Sequence, residues 1–136
     1  MASFLRLLFF FVFVVVGVVP MGVFAMDFGA DILTIDAMEL EKQLGEKDPP
    51  FVLDVRQPEE YEMGHIQGAI LMPLTTLPEH LAEIPKDRRV VVYCRSGRRS
   101  ERAAAFLKAN GFTRIENLTG GIKAWTDKCQ AHKNYC

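Results

Sequence analysis

At 136 residues the chain has room for one domain, and 16 basic against 17 acidic residues give a formal net charge of −1. That balance argues against nucleic-acid binding, which draws on a marked basic excess. No glycine-serine linker, low-complexity tract or internal repeat is visible, so neither a multidomain chain nor a repeat array is indicated.

The first 25 residues stand apart. Arg6 is the only charged side chain before a run from Leu7 to Phe24 dominated by phenylalanine and valine. Val23-Phe24-Ala25 puts small residues at the two positions a signal peptidase reads, so cleavage before Met26 is expected. The alternative is an uncleaved anchor, since the run is long for a signal core and near the lower limit for a span. Gly17 and Pro20 within it favour the signal. Both readings export the domain, because Arg6 stays cytoplasmic while the acidic start at Asp27 and Asp31 crosses. The expected location is the periplasm, in solution or, if residues 7–24 are retained, anchored in the inner membrane. Without Arg6 the count becomes 15 basic and 17 acidic, net −2.

From Leu33 the chain alternates. Leu33–Ile35 is predicted as a strand, and Asp36 as the N-cap of a helix over 37–44 that Gly45 stops. After the turn 47–50 come a strand over 51–55 and a short helix over 58–61, with Pro58 suited to a first helical turn. A strand over 69–72 ends at Pro73, and a helix follows over 77–84. A fourth strand over 89–93 leads to a helix over 100–109 with a stop at Asn110-Gly111. A fifth strand spans 114–117, and Gly120-Gly121 turns into a short helix through Trp125. Such alternation implies a mainly parallel sheet with helices on both faces, where sites form at the carboxyl ends of strands.

One such end carries unusual chemistry. Cys94 follows the buried run Val90 to Tyr93, and Arg95, Arg98, Arg99 and Arg102 crowd behind it in a chain of negative net charge. A turn permitted by Gly97 can aim successive backbone N–H groups inward, and the following helix adds the partial positive charge of its N-terminus. Those donors should lower the pKa of a cysteine exposed at the strand end and hold a sulfur anion. A thiolate beside an oxyanion cradle suits attack on a dianion such as thiosulfate. The plainer reading, a cysteine serving as a small hydrophobe, leaves four arginines at a helix N-terminus unexplained.

Residues 32–125 resemble a single-domain rhodanese, a thiosulfate sulfurtransferase of the exported type. The sequence Cys94-Arg95-Ser96-Gly97-Arg98-Arg99 is similar to the family's active-site loop, Leu53 to Pro73 to its upstream signature, and Leu118 to Trp125 to its downstream one. The resemblance implies a five-stranded parallel sheet with helices on both sides. It also implies that Cys94 takes a sulfane sulfur as a persulfide and passes it to cyanide or a thiol. Arg95, Ser96, Gly97, Arg98, Arg99 and Ser100 are the expected substrate-binding residues. No metal or organic cofactor is implied, and a monomer is expected. Related phosphatases and arsenate reductases use a loop one residue longer. Here Arg99 follows Cys94 after four residues, which fits a ring around sulfur better than one around phosphate.

The remaining marked residues read as scaffold. Asp54 and Arg56 end a strand on the side of Cys94 and are expected to brace its loop as an ion pair. His65 is expected to fix a turn by a backbone hydrogen bond, His80 to lie on the surface, Trp125 to pack at the sheet edge, and Glu59, Glu60 and Glu62 to form a solvated helical face. The domain is thus set at 26–128, with a tail at 129–136. Cys129 and Cys136 enclose six residues, and a disulfide between them would stabilise by about 2.5 kcal/mol on a chain-entropy model. A metal held by Cys129, His132 and Cys136 lacks a fourth ligand. The reading of a sulfurtransferase has one rival of another class, a persulfide carrier that hands sulfur to a partner protein with little turnover of its own.

Overall fold

The computed structural model describes residues 31–131. Five strands form one sheet in the order β1-β5-β4-β2-β3, and every pairing is parallel. The strands are β1 Leu33–Ile35, β2 Phe51–Asp54, β3 Ile70–Leu71, β4 Val90–Tyr93 and β5 Ile115–Leu118. The α-helices are α1 Ala37–Leu44, α2 Pro58–Glu62, α3 Arg98–Ala109 and α4 Gly121–Ala131.

The central strand explains the layers. All four residues of β4 are fully buried, as a parallel strand covered on both faces must be. Val90 and Val92 meet Ala103, Ala104 and Leu107 of α3 on one face. Val91 and Tyr93 meet Leu40 of α1 and Trp125 of α4 on the other. Trp125, 9% exposed, thus packs into the core on this side of the sheet. Each large apolar side chain buried this way contributes about 1.5–3 kcal/mol.

Several boundaries differ from expectation, each for a local reason. Residues Leu77–Glu83 form a 3-10 helix in place of an α-helix over 77–84. Pro85 follows and holds Ile84 extended, at φ −90° and ψ 125°. Helix α3 begins two residues early, at Arg98, because Gly97 takes a left-handed φ of 102° and supplies the turn itself. Helix α4 runs past Trp125 to Ala131, since no glycine or proline interrupts it. At α1 the carboxylate of Asp36 accepts from the Glu39 amide at 2.8 Å, an N-cap in the expected place.

Candidate active site

The Cys94 loop joins the end of β4 to the start of α3. Its backbone turns through Gly97 so that the sulfur lies over the first turn of the helix. The Gly97 amide donates to Cys94 Sγ at 3.2 Å and the Ser100 hydroxyl donates at 3.4 Å. Cys94 is only 1% exposed, so it does not stand open at the strand end as expected. The loop wraps the sulfur because its donors converge on it. Burial pushes the thiol up, but the Ser100 hydroxyl and the amides of Ser100, Ser96 and Gly97 outweigh it and draw the pKa below its usual 9.0. The thiolate is thus stabilised by fixed dipoles inside a nearly dry site.

Removing one of those dipoles should be visible in the pH dependence of the thiolate. Ser100→Ala deletes the hydroxyl donor and leaves the Gly97 amide in place. The midpoint of thiolate formation is expected to rise by about one pH unit, with alkylation below that midpoint about tenfold slower. Iodoacetamide labelling of Cys94 across pH, read by intact mass, checks this; an unmoved midpoint would assign the stabilisation to the amides alone.

Two residues hold the loop from below, and the sequence pattern marks neither for that task. Asn117, on β5 and 7% exposed, donates its side-chain amide to the Gly97 carbonyl at 3.1 Å. The Ser100 hydroxyl also lies 3.1 Å from that carbonyl. The one signal for it in the sequence is an asparagine in a strand otherwise reading as buried and apolar. Gly121 starts α4 at φ +60°, and its Cα sits so close to the loop that a Cβ there would fall 2.4 Å from the Cys94 carbonyl oxygen. The next amides stitch helix to loop: Ile122 donates to Cys94 O at 2.8 Å and Lys123 to Arg95 O at 3.3 Å.

The arginines divide into held and free. Arg99, in the first turn of α3, makes a two-pronged pair with Glu60 of α2, both contacts at 2.7 Å. Arg99 pulls Glu60 from the ordinary 4.5 down to about 2 against a smaller opposing effect of burial. Glu60 therefore leaves the solvated face expected of it and fixes the arginine that closes the loop. It also accepts from the Gln57 amide at 3.1 Å, which ties α2 into the same unit. Arg95, Arg98 and Arg102 are exposed and form no ion pair among the described residues.

Asp54 and Arg56 form a buried pair, with Arg56 Nη2 2.7 Å from Asp54 Oδ2. The same nitrogen donates to the Gly64 carbonyl at 2.8 Å, and the guanidinium lies 5.4 Å over the Tyr93 ring. Their reach is to the turn after α2 and to the residue before Cys94, so they support the loop through its neighbours. His65 stacks on Tyr61 at 3.8 Å, and its Nδ1 is 3.1 Å from the Tyr61 carbonyl. His80 pairs with Glu83 at the surface. Cys129 is half-buried against the Trp125 cluster, while Cys136 and His132, on which the tail readings depend, lie outside the described residues. Among the described residues no group of three histidine, cysteine or acidic side chains is placed to hold a metal ion.

Comparison with known proteins agrees with this geometry. Residues 36–128 match the family model of the rhodanese-like domain. A sulfurtransferase of Allochromatium vinosum is 44% identical over 91 residues, which cover 67% of this chain and 85% of that protein. YrkF of Bacillus subtilis, which bears the name of a putative sulfur carrier protein, is 37% identical over 95 residues, 69% of this chain and 51% of that one. The crystal structure of a rhodanese-like domain protein from Staphylococcus aureus superposes with a TM-score of 0.66 at 36% identity, covering 69% of this chain and 91% of that one. With the parallel five-stranded sheet and the cysteine loop in place, the chain belongs to the rhodanese-like domain family.

Proposed function

We propose that the protein is a sulfurtransferase that takes a sulfane sulfur from thiosulfate, or a related donor, and passes it to cyanide or a thiol. The observation that carries this reading is the Cys94 sulfur held by Gly97 N–H and Ser100 O–H at the N-terminus of α3. The Cys94 thiolate attacks the outer sulfur of thiosulfate, the sulfur–sulfur bond of the donor breaks, and sulfite departs with the electron pair. The exposed Arg95 and Arg98 attract the sulfonate, and the amide ring then encloses the persulfide. The acceptor attacks the outer sulfur of that persulfide and Cys94 leaves as thiolate, ready for another turn. Four residues between Cys94 and Arg99 give a ring suited to sulfur. The sulfurtransferase relative supports the reaction class.

A carrier role is the second reading. It is favoured by the near-complete burial of Cys94, which would shelter a persulfide from stray nucleophiles, and by the likeness to YrkF. Export belongs to the proposal as well, on the strength of the residues before Met26.

Intact mass of the purified protein after incubation with thiosulfate, beside Cys94→Ser, tests these readings together. Gain of one sulfur on the wild type and none on the variant, with fast discharge by cyanide, is the expected result. Slow discharge of a stable persulfide would favour the carrier. No gain by folded protein would remove thiosulfate as donor. The same spectrum reads whether the chain begins at Met26.

A further inference from the structure

We infer that a groove at the opposite end of the sheet from Cys94 binds the free carboxyl end of a short apolar peptide. Arg88 takes its carboxylate and Glu41 the N–H of its last residue. The groove has a volume of about 680 Å³, in the range that encloses a molecule of this size. In its wall Phe51 and Val52 begin β2, Ile70 begins β3 and Arg88 precedes β4. The groove thus lies toward the amino ends of these strands, whereas Cys94 follows the carboxyl end of β4.

Two charged residues line this groove, each with a buried hydrogen-bonding atom unused. Arg88 Nη2 donates to the Pro49 carbonyl at 2.7 Å, but Nε has no acceptor among the described residues. Nor does the guanidinium form an ion pair among them. Glu41 Oε2 accepts from Lys128 Nζ, which lies 5.3 Å over the Trp125 ring, while Oε1 has no donor among the described residues. Folded proteins leave few such atoms unpaired. The two have opposite requirements, an anionic acceptor for Arg88 Nε–H and a donor for Glu41 Oε1. Lys128 already balances the charge of Glu41, so a neutral N–H suffices there, while the uncompensated Arg88 calls for an anion. The last residue of a peptide offers a carboxylate and an N–H a few bonds apart.

Much of the remaining wall is apolar. Leu44, Phe51, Ile66 and Trp125 line it, and Ile70 stands exposed on the edge strand β3. An apolar side chain entering the groove takes these surfaces and its own out of water, which favours binding. A small acid without an apolar body would gain little beyond a solvent-screened ion pair. Walls and charge together therefore select an apolar residue at a free carboxyl end. Such binding is non-covalent and does not depend on sulfur transfer at Cys94.

Trp125 is the sole tryptophan of the chain and lines the groove, so its fluorescence reads occupancy. The probe is N-acetyl-leucyl-phenylalanine with a free carboxylate, and the same peptide closed as a C-terminal amide is its control. The wild type is expected to bind the acid about tenfold more tightly than the amide, through the charge-assisted bond to Arg88. Methylating the last peptide nitrogen, which removes the N–H offered to Glu41, is expected to weaken the acid by a similar factor. Arg88→Met is expected to abolish the preference for acid over amide. Lys123→Glu, in the groove beside the Cys94 loop that Trp125 also lines, is expected to keep it. The comparison of peptides on the wild type needs no variant, so misfolding of Arg88→Met does not blunt the test. Absence of binding, equal binding of acid and amide, undiminished binding of the N-methyl peptide, or a preference lost in Lys123→Glu but kept in Arg88→Met would each overturn the assignment. No readout involves sulfur uptake, so this inference and the sulfurtransferase reading fail separately.

Discussion

Gly121→Ala is expected to slow persulfide formation about 100-fold and to cost about 2–5 kcal/mol of stability. Two effects add. The residue sits at φ +60°, where an L side chain costs about 1–2 kcal/mol. The new Cβ would also fall 2.4 Å from Cys94 O and 2.7 Å from both the carbonyl carbon and oxygen of Arg95. These are backbone atoms of the Cys94 loop and cannot swing aside, so relief of the overlap at about 1–3 kcal/mol displaces the loop itself. The Ile122 amide then loses its 2.8 Å bond to Cys94 O, and a displacement of about 1 Å at a nucleophile is enough for a 100-fold loss. Gly68→Ala separates the two effects, because Gly68 has φ +80° but, its own chain neighbours aside, no described atom within 4 Å of where a Cβ would stand. It should show the backbone strain alone, about 1–2 kcal/mol, with sulfur uptake intact. Urea midpoints and single-turnover sulfur uptake for both variants make the check; normal uptake by Gly121→Ala would mean the loop tolerates movement that its tight packing denies.

Arg56→Met is expected to destabilise by about 3–5 kcal/mol, because it leaves the fully buried Asp54 carboxylate without its partner. The loss extends beyond the pair. Arg56 also donates to the Gly64 carbonyl, just past the end of α2, and α2 carries the Glu60 that clamps Arg99. Persulfide formation should therefore fall along with stability. Asp54→Leu combined with Arg56→Met removes both charges and should recover much of the stability, since apolar replacement of a buried pair is often near neutral. Sulfur uptake should recover less, because the tie to Gly64 is still missing. Urea unfolding of the single and double variants tests the argument, and a double variant no more stable than the single one would show that packing, not the stranded charge, sets the cost.

The elements differed in how much of them could be read in one dimension. The parallel sheet was legible because strands buried on both faces are continuous apolar runs, as Val90 to Tyr93 is, separated by helices with caps such as Asp36. Cys94 was legible because a strand end, a permissive Gly97 and a cluster of arginines are adjacent along the chain. Element ends were less so: α3 starts at Arg98 because of a left-handed glycine, and the segment 77–83 tightens to a 3-10 helix before Pro85. Propensity carries little information about either.

By itself, then, the order of residues determined the sheet, its helical cover, and the strand-end position of the cysteine proposed as nucleophile, since each of these depends on neighbours within a few positions. Which groups surround that cysteine was decided only by the tertiary structure. Glu60 and Arg99 are 39 positions apart, and Asn117 meets the Gly97 carbonyl across 20. The glutamate had the spacing of a solvated helical face, and Gly121 looked like one half of a turn. Their roles arise from distances between separate elements, which parallel packing sets and no local pattern records.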